Sequence, residues 1–169
     1  DHTYLLNEKM DIDLKILHEF LSKHEGKKLL IFGFTYMIWL YFYQALKQRD
    51  VKVDLSKAFL IHSGGWKKLT DYAVDNKTFK SALRERTEIQ NISNFYGMVE
   101  QVGSIFMECE QGYLHAPVFS DVLIRDPETW GVQPHGRVGV IEVLSMLPQS
   151  YPGHVLLTED QGRILGEDD

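Results

Sequence analysis

Residues 29–43 read LLIFGFTYMIWLYFY, fifteen positions without a charge, and such a run has two places to go: a bilayer or a protein core. Crossing a bilayer takes about 20 predominantly apolar residues. This run is shorter, and Gly33, Thr35 and several tyrosines interrupt it. It is expected instead to form a buried strand over 29–34 that turns at Gly33 to Thr35 into an aromatic helix ending near Arg49. Burying such a segment needs a core, and 169 residues with 44% hydrophobic content are enough to make one.

The flanks extend the pattern. Leu14, Leu17, His18 and Leu21 recur at helical spacing, predicting a helix over 12–22 that Gly26 closes. A short apolar run over 58–61 suits a buried parallel strand. Residues 66–74 and 79–85 read as helices, and 89–95 as a third strand ending in the turn at Tyr96 and Gly97. Strand, helix, strand, helix, strand is the order of a parallel α/β layer. After Gly103 the texture changes: 104–109, 113–115, 121–124, 139–144 and 155–158 are short β-type runs punctuated by glycine and proline, as in antiparallel strands. The expected organisation is an α/β portion over 1–103, followed by a small antiparallel β-subdomain over 104–169. The last residues, Gly166 to Asp169, bring no closing element, so the chain reads as a fragment truncated at its C-terminus.

Eighteen basic against twenty-four acidic residues give a net charge of −6, and no Lys/Arg run exceeds two, which argues against nucleic acid as a partner. One cysteine excludes an internal disulfide, and the N-terminus lacks the layout of a signal peptide. The reading is a cytoplasmic protein without a membrane span.

Ligands of open α/β sheets collect outside the carboxyl ends of the strands, and three turns are candidates there. His62, Ser63, Gly64, Gly65 and Trp66 carry paired glycines that would let a flat ligand lie against the backbone; a tight strand-to-helix connection explains them equally well. Asn94 to Gln101, NFYGMVEQ, sets a tyrosine, a glycine and a carboxylate after a strand. Tyr96 could stack on a base, and Glu100 could hold magnesium through hard oxygen contacts. Leu157 to Gly162, LTEDQG, places Asp160 after a short strand, where a carboxylate can take both ribose hydroxyls or be an ordinary exposed turn acid.

In this order and spacing the three turns resemble the nucleotide site of the adenylate-forming superfamily. With their flanks, FGFTYMIW, LIHSGGWKKL, NFYGMVEQVGS, ECEQGYLHAP, VLIRDPETW and SYPGHVLLTEDQGRILGEDD, the chain resembles the LuxE-type acyl-protein synthetases, relatives of the phenylacetate-CoA ligases. The fold implied is part of an adenylate-forming large domain. The activity implied is activation of a fatty acid, or another carboxylic acid, by ATP as an acyl adenylate, followed by transfer to a protein thiol outside this chain. By that resemblance Gly64 and Gly65 border the adenine, Tyr96 lies on its face, and Gly97 lets the backbone approach. Glu100 is the catalytic carboxylate and Mg2+ ligand, and Asp160 holds the ribose. One position departs: Val99 stands where threonine is common, and valine has no hydroxyl to offer the α-phosphate. A glycine-rich phosphate loop and the small C-terminal domain with its catalytic lysine are also absent from these residues.

Other groups invite weaker readings. The aromatic stretch from Phe32 to Phe42 would supply an apolar wall for the acyl chain, or plain core. Cys109 is expected as a strand-borne, apolar thiol whose pKa the neighbouring acids Glu108 and Glu110 raise. With His115, and Glu108 or His62, it could join a soft-metal site. His2, His18, His24, His135 and His154 are scattered. Lys67 and Lys68 are solvated helix charges or phosphate ligands. An acyl- or aryl-CoA ligase fragment, or a non-catalytic nucleotide- or lipid-binding module, are the alternative functions.

Overall fold

A computed structural model describes residues 1–66 and 69–167, and the chain divides into two compact units, 1–95 and 96–169.

In the first unit, α1 (Leu14–Lys23) starts where the Asp13 carboxylate accepts the N–H groups of Lys15 and Ile16 at 2.9 and 3.1 Å, satisfying two donors a helix start leaves open. The uncharged run then forms β1 (Leu29–Phe34) and goes directly into helix. That helix is α2 (Thr35–Met37), a π-helical stretch Ile38–Tyr43, and α3 (Gln44–Gln48). The π-helical turns bury Ile38, Trp39, Phe42 and Tyr43 together, and the rings of Trp39 and Tyr43 stack 4.5 Å apart. Among the described residues no helix is long and apolar enough to cross a membrane.

The parallel layer follows as expected. Strand β2 (Ala58–Ser63) pairs with β1, and β3 (Asn91–Tyr96) pairs with β2, both in parallel. The connection from β2 to β3 carries α4 (Asn76–Thr87), capped by Asp75, which accepts the Thr78 N–H at 2.7 Å. Cap and strand pairing shift the boundaries of the expected elements. The helix read over 79–85 gains three residues before Phe79 and two after Glu85, and Ile89 is buried ahead of β3. The helix expected over 66–74 is corrected: its described part is one 3-10 turn, Thr70–Tyr72, because the polar sequence TDY has no apolar stripe to bury and Asp75 starts a better helix just beyond. Lys67 and Lys68 lie outside the described residues.

Alternation in the strands sorts the side chains. Leu60 and His62 of β2 and Ile92 of β3 point into a core with Trp39, Phe42, Leu46, Phe79 and Leu83. Leu30, Phe32 and Phe34 of β1 and Phe59 of β2 take the other face and are exposed. The stretch from Phe32 to Phe42 thus divides: Ile38, Trp39 and Phe42 are core, and Phe32 and Phe34 are surface.

The second unit is antiparallel. A hairpin joins β4 (Phe106–Glu108) to β5 (Leu114–His115), and a three-stranded sheet is ordered β6 (Ser120–Arg125), β7 (Gly139–Ser145), β8 (Val155–Gly162). Register along β7 and β8 shifts between Val140 and Glu142. Among the described residues of this unit the buried apolar side chains are Phe106, Ile124, Val143 and Pro148. Much of the order comes from polar side chains: Arg125 Nε donates to Glu142, and Asp126 accepts the N–H groups of Glu128 and Thr129 at 2.9 and 2.8 Å, tying the DPETW turn. Two strand assignments are corrected. Strand β8 runs to Gly162, so Asp160 lies on a strand and not after one. Cys109 follows β4 in a turn and is half-buried, not strand-borne.

Candidate nucleotide site

In the first unit the parallel register sets Ser63 of β2 opposite Phe95 of β3. The turn at Gly64 and Gly65 therefore leaves from the carboxyl edge of this layer, where α/β sheets receive ligands. Gly64 has φ +82, a left-handed conformation that side chains resist. Gly65 needs no such freedom, but a Cβ there would meet nothing within 4 Å, so the backbone faces open space. Beneath the turn, Thr35 Oγ1 donates to the Ser63 carbonyl at 3.1 Å and lies 2.9 Å from His62 Nδ1. His62 is buried, with its ring 4.6 Å from that of Phe79. These contacts make His62 a structural anchor for the end of β2. A groove of about 610 Å³ lined by Leu21, Leu29, Val53, Leu55 and Ala58 opens at the amino ends of β1 and β2, away from the glycine turn.

In the second unit the structure brings together two residues that are 64 positions apart. The Tyr96 hydroxyl donates to Asp160 Oδ2 at 2.8 Å. Burial, then this hydrogen bond and the Asp160 charge, push the Tyr96 phenol up to about 12, so it remains a donor at neutral pH. The ring of Tyr96 also meets that of Phe106 edge-on, with centroids 6.0 Å apart. Asp160 is exposed and is held from behind by Thr158, whose hydroxyl accepts the Asp160 N–H at 3.1 Å and donates to the Ile141 carbonyl at 2.8 Å. Thr158 fixes a carboxylate on the edge of β8 without contributing a charge of its own.

Gly97 follows β3, and Val99 to Gln101 form one 3-10 turn. Val99 is exposed, and so is Glu100, whose carbonyl accepts a hydrogen bond from the Tyr151 hydroxyl. The next residue anchors the turn: Gln101 is 1% exposed and its Nε2 donates to the carbonyls of Val143 and Gly153 at 3.1 and 2.8 Å. A little further on, Ser104 Oγ donates to Ser145 Oγ at 2.7 Å and accepts from Ser120 Oγ at 3.0 Å. Sequence reasoning quotes Gln101 and Thr158 only as neighbours of Glu100 and Asp160. Neither carries a local signal, since Gln101 ends a 3-10 turn and Thr158 begins the polar half of β8, and each becomes informative only once its partners are known.

Cys109 differs from expectation in its chemistry too. The Tyr113 backbone is the largest influence; burial pushes the thiol up, the Gln111 backbone and the His115 side chain pull it down, and the net result holds it below its usual range. The flanking acids expected to raise it are not among the causes, and burial, which does push it up, is outweighed by these local hydrogen bonds. Among the described residues no group of three or more His, Cys, Asp or Glu side chains is placed to hold a metal ion. Cys109 and His115 therefore form a pair without the further ligands a zinc site requires.

The profile of the LuxE acyl-protein synthetases matches residues 3–168. Two relatives, each named a long-chain-fatty-acid–luciferin-component ligase, are 24% identical to the chain. They come from Aliivibrio fischeri, aligned over 92% of this chain and 42% of that protein, and from Vibrio harveyi, over 95% and 43%. The chain thus spans less than half the length of the curated relatives it matches. Among solved structures, ATP-bound MatB from Rhodopseudomonas palustris matches with a TM-score of 0.58 at 17% identity, over 87% of this chain and 30% of that one. The amide bond synthetase McbA from Marinactinospora thermotolerans matches with 0.57 at 19% identity, over 90% and 32%. At these identities the structures speak to fold alone, shared with about a third of each of those chains, and a family match across almost every residue settles the lineage: the chain belongs to the LuxE acyl-protein synthetase family.

Proposed function

We propose that these residues carry the adenosine-binding side of a site that activates a fatty acid with ATP and passes the acyl group to a protein thiol. The observation that supports this most is the bond between Tyr96 and Asp160, which couples the proposed base-stacking ring to the proposed ribose carboxylate. Asp160 keeps its second oxygen for a ribose hydroxyl, and the Thr158 hydroxyl under its N–H limits how far it can move. Gly64 and Gly65 border the adenine, where the open space over Gly65 leaves room for a planar ring. Gly97 lets the chain approach it.

In the reaction a carboxylate oxygen of the fatty acid attacks the α-phosphorus, the bond to the bridging oxygen breaks, and pyrophosphate leaves. A thiolate then attacks the acyl carbonyl and AMP departs. The protein's part is to align nucleophile and leaving group. Glu100, an exposed carboxylate on a turn, would hold the magnesium ion through hard oxygen contact. That ion would offset phosphate charge that repels the incoming carboxylate. Glu100 is positioned by its neighbours: Gln101 pins the turn from inside, and Tyr151 holds the Glu100 carbonyl. Val99 offers no hydroxyl to the α-phosphate, so either another donor such as a main-chain N–H makes that contact or the phosphate is held less firmly. The acyl-accepting thiol lies outside these residues, and the setting is the cytoplasm, where a single-cysteine chain keeps its thiol reduced.

The test uses the full-length enzyme, with ATP–pyrophosphate exchange dependent on fatty acid as readout. Asp160→Ala is expected to weaken ATP binding through loss of charge-assisted hydrogen bonds, each worth about 1.5–3 kcal/mol as an upper range. Glu100→Ala is expected to lower the rate with little change in ATP affinity. Unchanged affinity and rate in both variants would sink the assignment.

A further inference from the structure

A turn made of two glycines has no side chains by which to hold itself in place, and glycine leaves the backbone more freedom than any other residue. Where the turn at Gly64 and Gly65 sits is therefore decided by the groups that hold its base. That base is the end of β2, where the Ser63 carbonyl belongs to the same planar peptide unit as the Gly64 nitrogen. Fixing this carbonyl fixes the plane from which Gly64 enters its left-handed conformation at φ +82.

The group that holds the carbonyl comes from another element. Strand β1 passes into α2 without a loop, so Thr35 directly follows Phe34, the residue paired with Ser63. The Thr35 hydroxyl has one proton, and it goes to the Ser63 carbonyl at 3.1 Å. The contact of 2.9 Å between Thr35 Oγ1 and His62 Nδ1 then runs the other way, with Nδ1–H donating to the hydroxyl. Thr35 is 8% exposed and His62 2%, so solvent does not compete for either bond. The imidazole is aimed in its turn by Phe79 of α4, with the rings 4.6 Å apart and tilted by 37°. The contacts form a directed chain: α4 orients the imidazole, the imidazole orients the hydroxyl, and the hydroxyl holds the turn. Neither side chain has a part in the proposed chemistry, and stability does not ask for them, since an apolar pair of the same shape would serve a core about as well. What an apolar pair could not do is fix the direction of a carbonyl.

We infer that Thr35 and His62 are positioning residues for the nucleotide: through the Ser63 carbonyl they set where the Gly64–Gly65 turn meets the adenine, and so the affinity for ATP. The inference rests on the reading of this turn as the border of the adenine.

The test uses the full-length enzyme and reads ATP affinity, kcat at saturating ATP, and hydrogen exchange over residues 62–66. Thr35→Val keeps the shape and removes the donor, whereas Thr35→Ser keeps the donor. Thr35→Val is expected to weaken ATP binding about fivefold to tenfold, the worth of one hydrogen bond, with kcat unchanged, as when binding common to ground and transition states is lost. Exchange over 62–66 should quicken while the β1 and α4 amides keep their protection, and Thr35→Ser should restore both affinity and exchange. Wild-type ATP affinity in Thr35→Val would overturn the inference, and Gly65→Leu then tells what has failed, because its side chain enters the open space over the turn. Affinity lost in Gly65→Leu alone keeps the adenine at the turn and removes only the role of Thr35. Affinity unchanged in both removes the adenine as well. Loss of β1 and α4 protection in both Thr35→Val and a second variant, Thr35→Ala, would make the pair a support of the whole unit and overturn the inference too.

Discussion

The two units hold their strands in place by different means. In the first, β2 runs through a core of large apolar groups, with Phe79, Leu46, Leu60 and Leu83 essentially without solvent contact. In the second, few of the described apolar side chains are buried and the sheet is tied by named polar bonds: Arg125 to Glu142, Gln101 to two carbonyls, a chain of three serine hydroxyls, and Thr158 to Ile141. Apolar burial is proportional to area and tolerant of detail, whereas a buried hydrogen bond is worth little net and costs much when half of it is removed. The first unit should thus tolerate volume-conserving substitutions, and the second should be sensitive to loss of single polar atoms. The residues proposed for the ribose and the magnesium ion, Asp160 and Glu100, lie in the unit whose geometry is set by directional bonds.

The largest effect is expected from Phe79→Ala. It removes a ring packed at 4.6 Å from His62 and 5.8 Å from Trp39, and the cavity should lower the stability of the first unit by about 3–5 kcal/mol. Hydrogen exchange of the β1, β2 and β3 amides reads it, and a loss under about 1 kcal/mol would mean the core closes over the gap as few well-packed cores do. Next comes Gln101→Leu, which keeps side-chain volume but leaves the Val143 and Gly153 carbonyls without their donor. The expected loss is about 1–3 kcal/mol for each carbonyl that water cannot reach, seen in denaturant unfolding followed through β7. Equal stability with wild type would erase the contrast between the units.

Asp75→Ala is smaller. Removing the α4 cap should cost about 1 kcal/mol, again read by denaturant unfolding, and a penalty as large as that of Phe79→Ala would show that α4 depends on its cap more than on its apolar face. The smallest effect at neutral pH concerns Tyr96. Its folded pKa of about 12 stands above the unfolded value near 10, so its contribution to stability is fully present below pH 10 and is lost as pH rises toward 12. Stability of Tyr96→Phe should therefore fall less steeply between those pH values than that of wild type. A parallel fall in the two proteins would remove Asp160 as the partner that holds the phenol protonated.

Much of this organisation is legible in the chain itself because it is written in local patterns. The uncharged run over 29–43 is too short for a bilayer and too apolar for a surface, which leaves a buried strand and helix. Asp13 and Asp75 go unread as helix starts, since the expected helices begin at 12 and 79, and the caps are evident from the N–H groups they accept. The glycine turns, the NFYGMVEQ segment and Asp160 are recognisable because motif residues keep their type and order. The segment 66–74 misleads because its helical appearance depends on a few apolar residues whose burial is decided by distant elements. Cys109 misleads because flanking acids are visible in the sequence, while the Tyr113 and Gln111 backbone and the His115 side chain reach the sulfur only after the turn has folded.

By itself the sequence determined most of the strands and helices, though not the segment 66–74, together with the change from parallel to antiparallel pairing and the family, since each depends on periodicity or on residue identity in order along the chain. Tertiary structure alone decided that Tyr96 and Asp160 touch across 64 positions, that Gln101 is the buried pin of the Glu100 turn, and that Phe32 faces outward while Phe42 faces in. Those facts depend on which strands pair and in what register. A shift of one residue would exchange the two faces of a strand, so they could not be read until the sheets had formed.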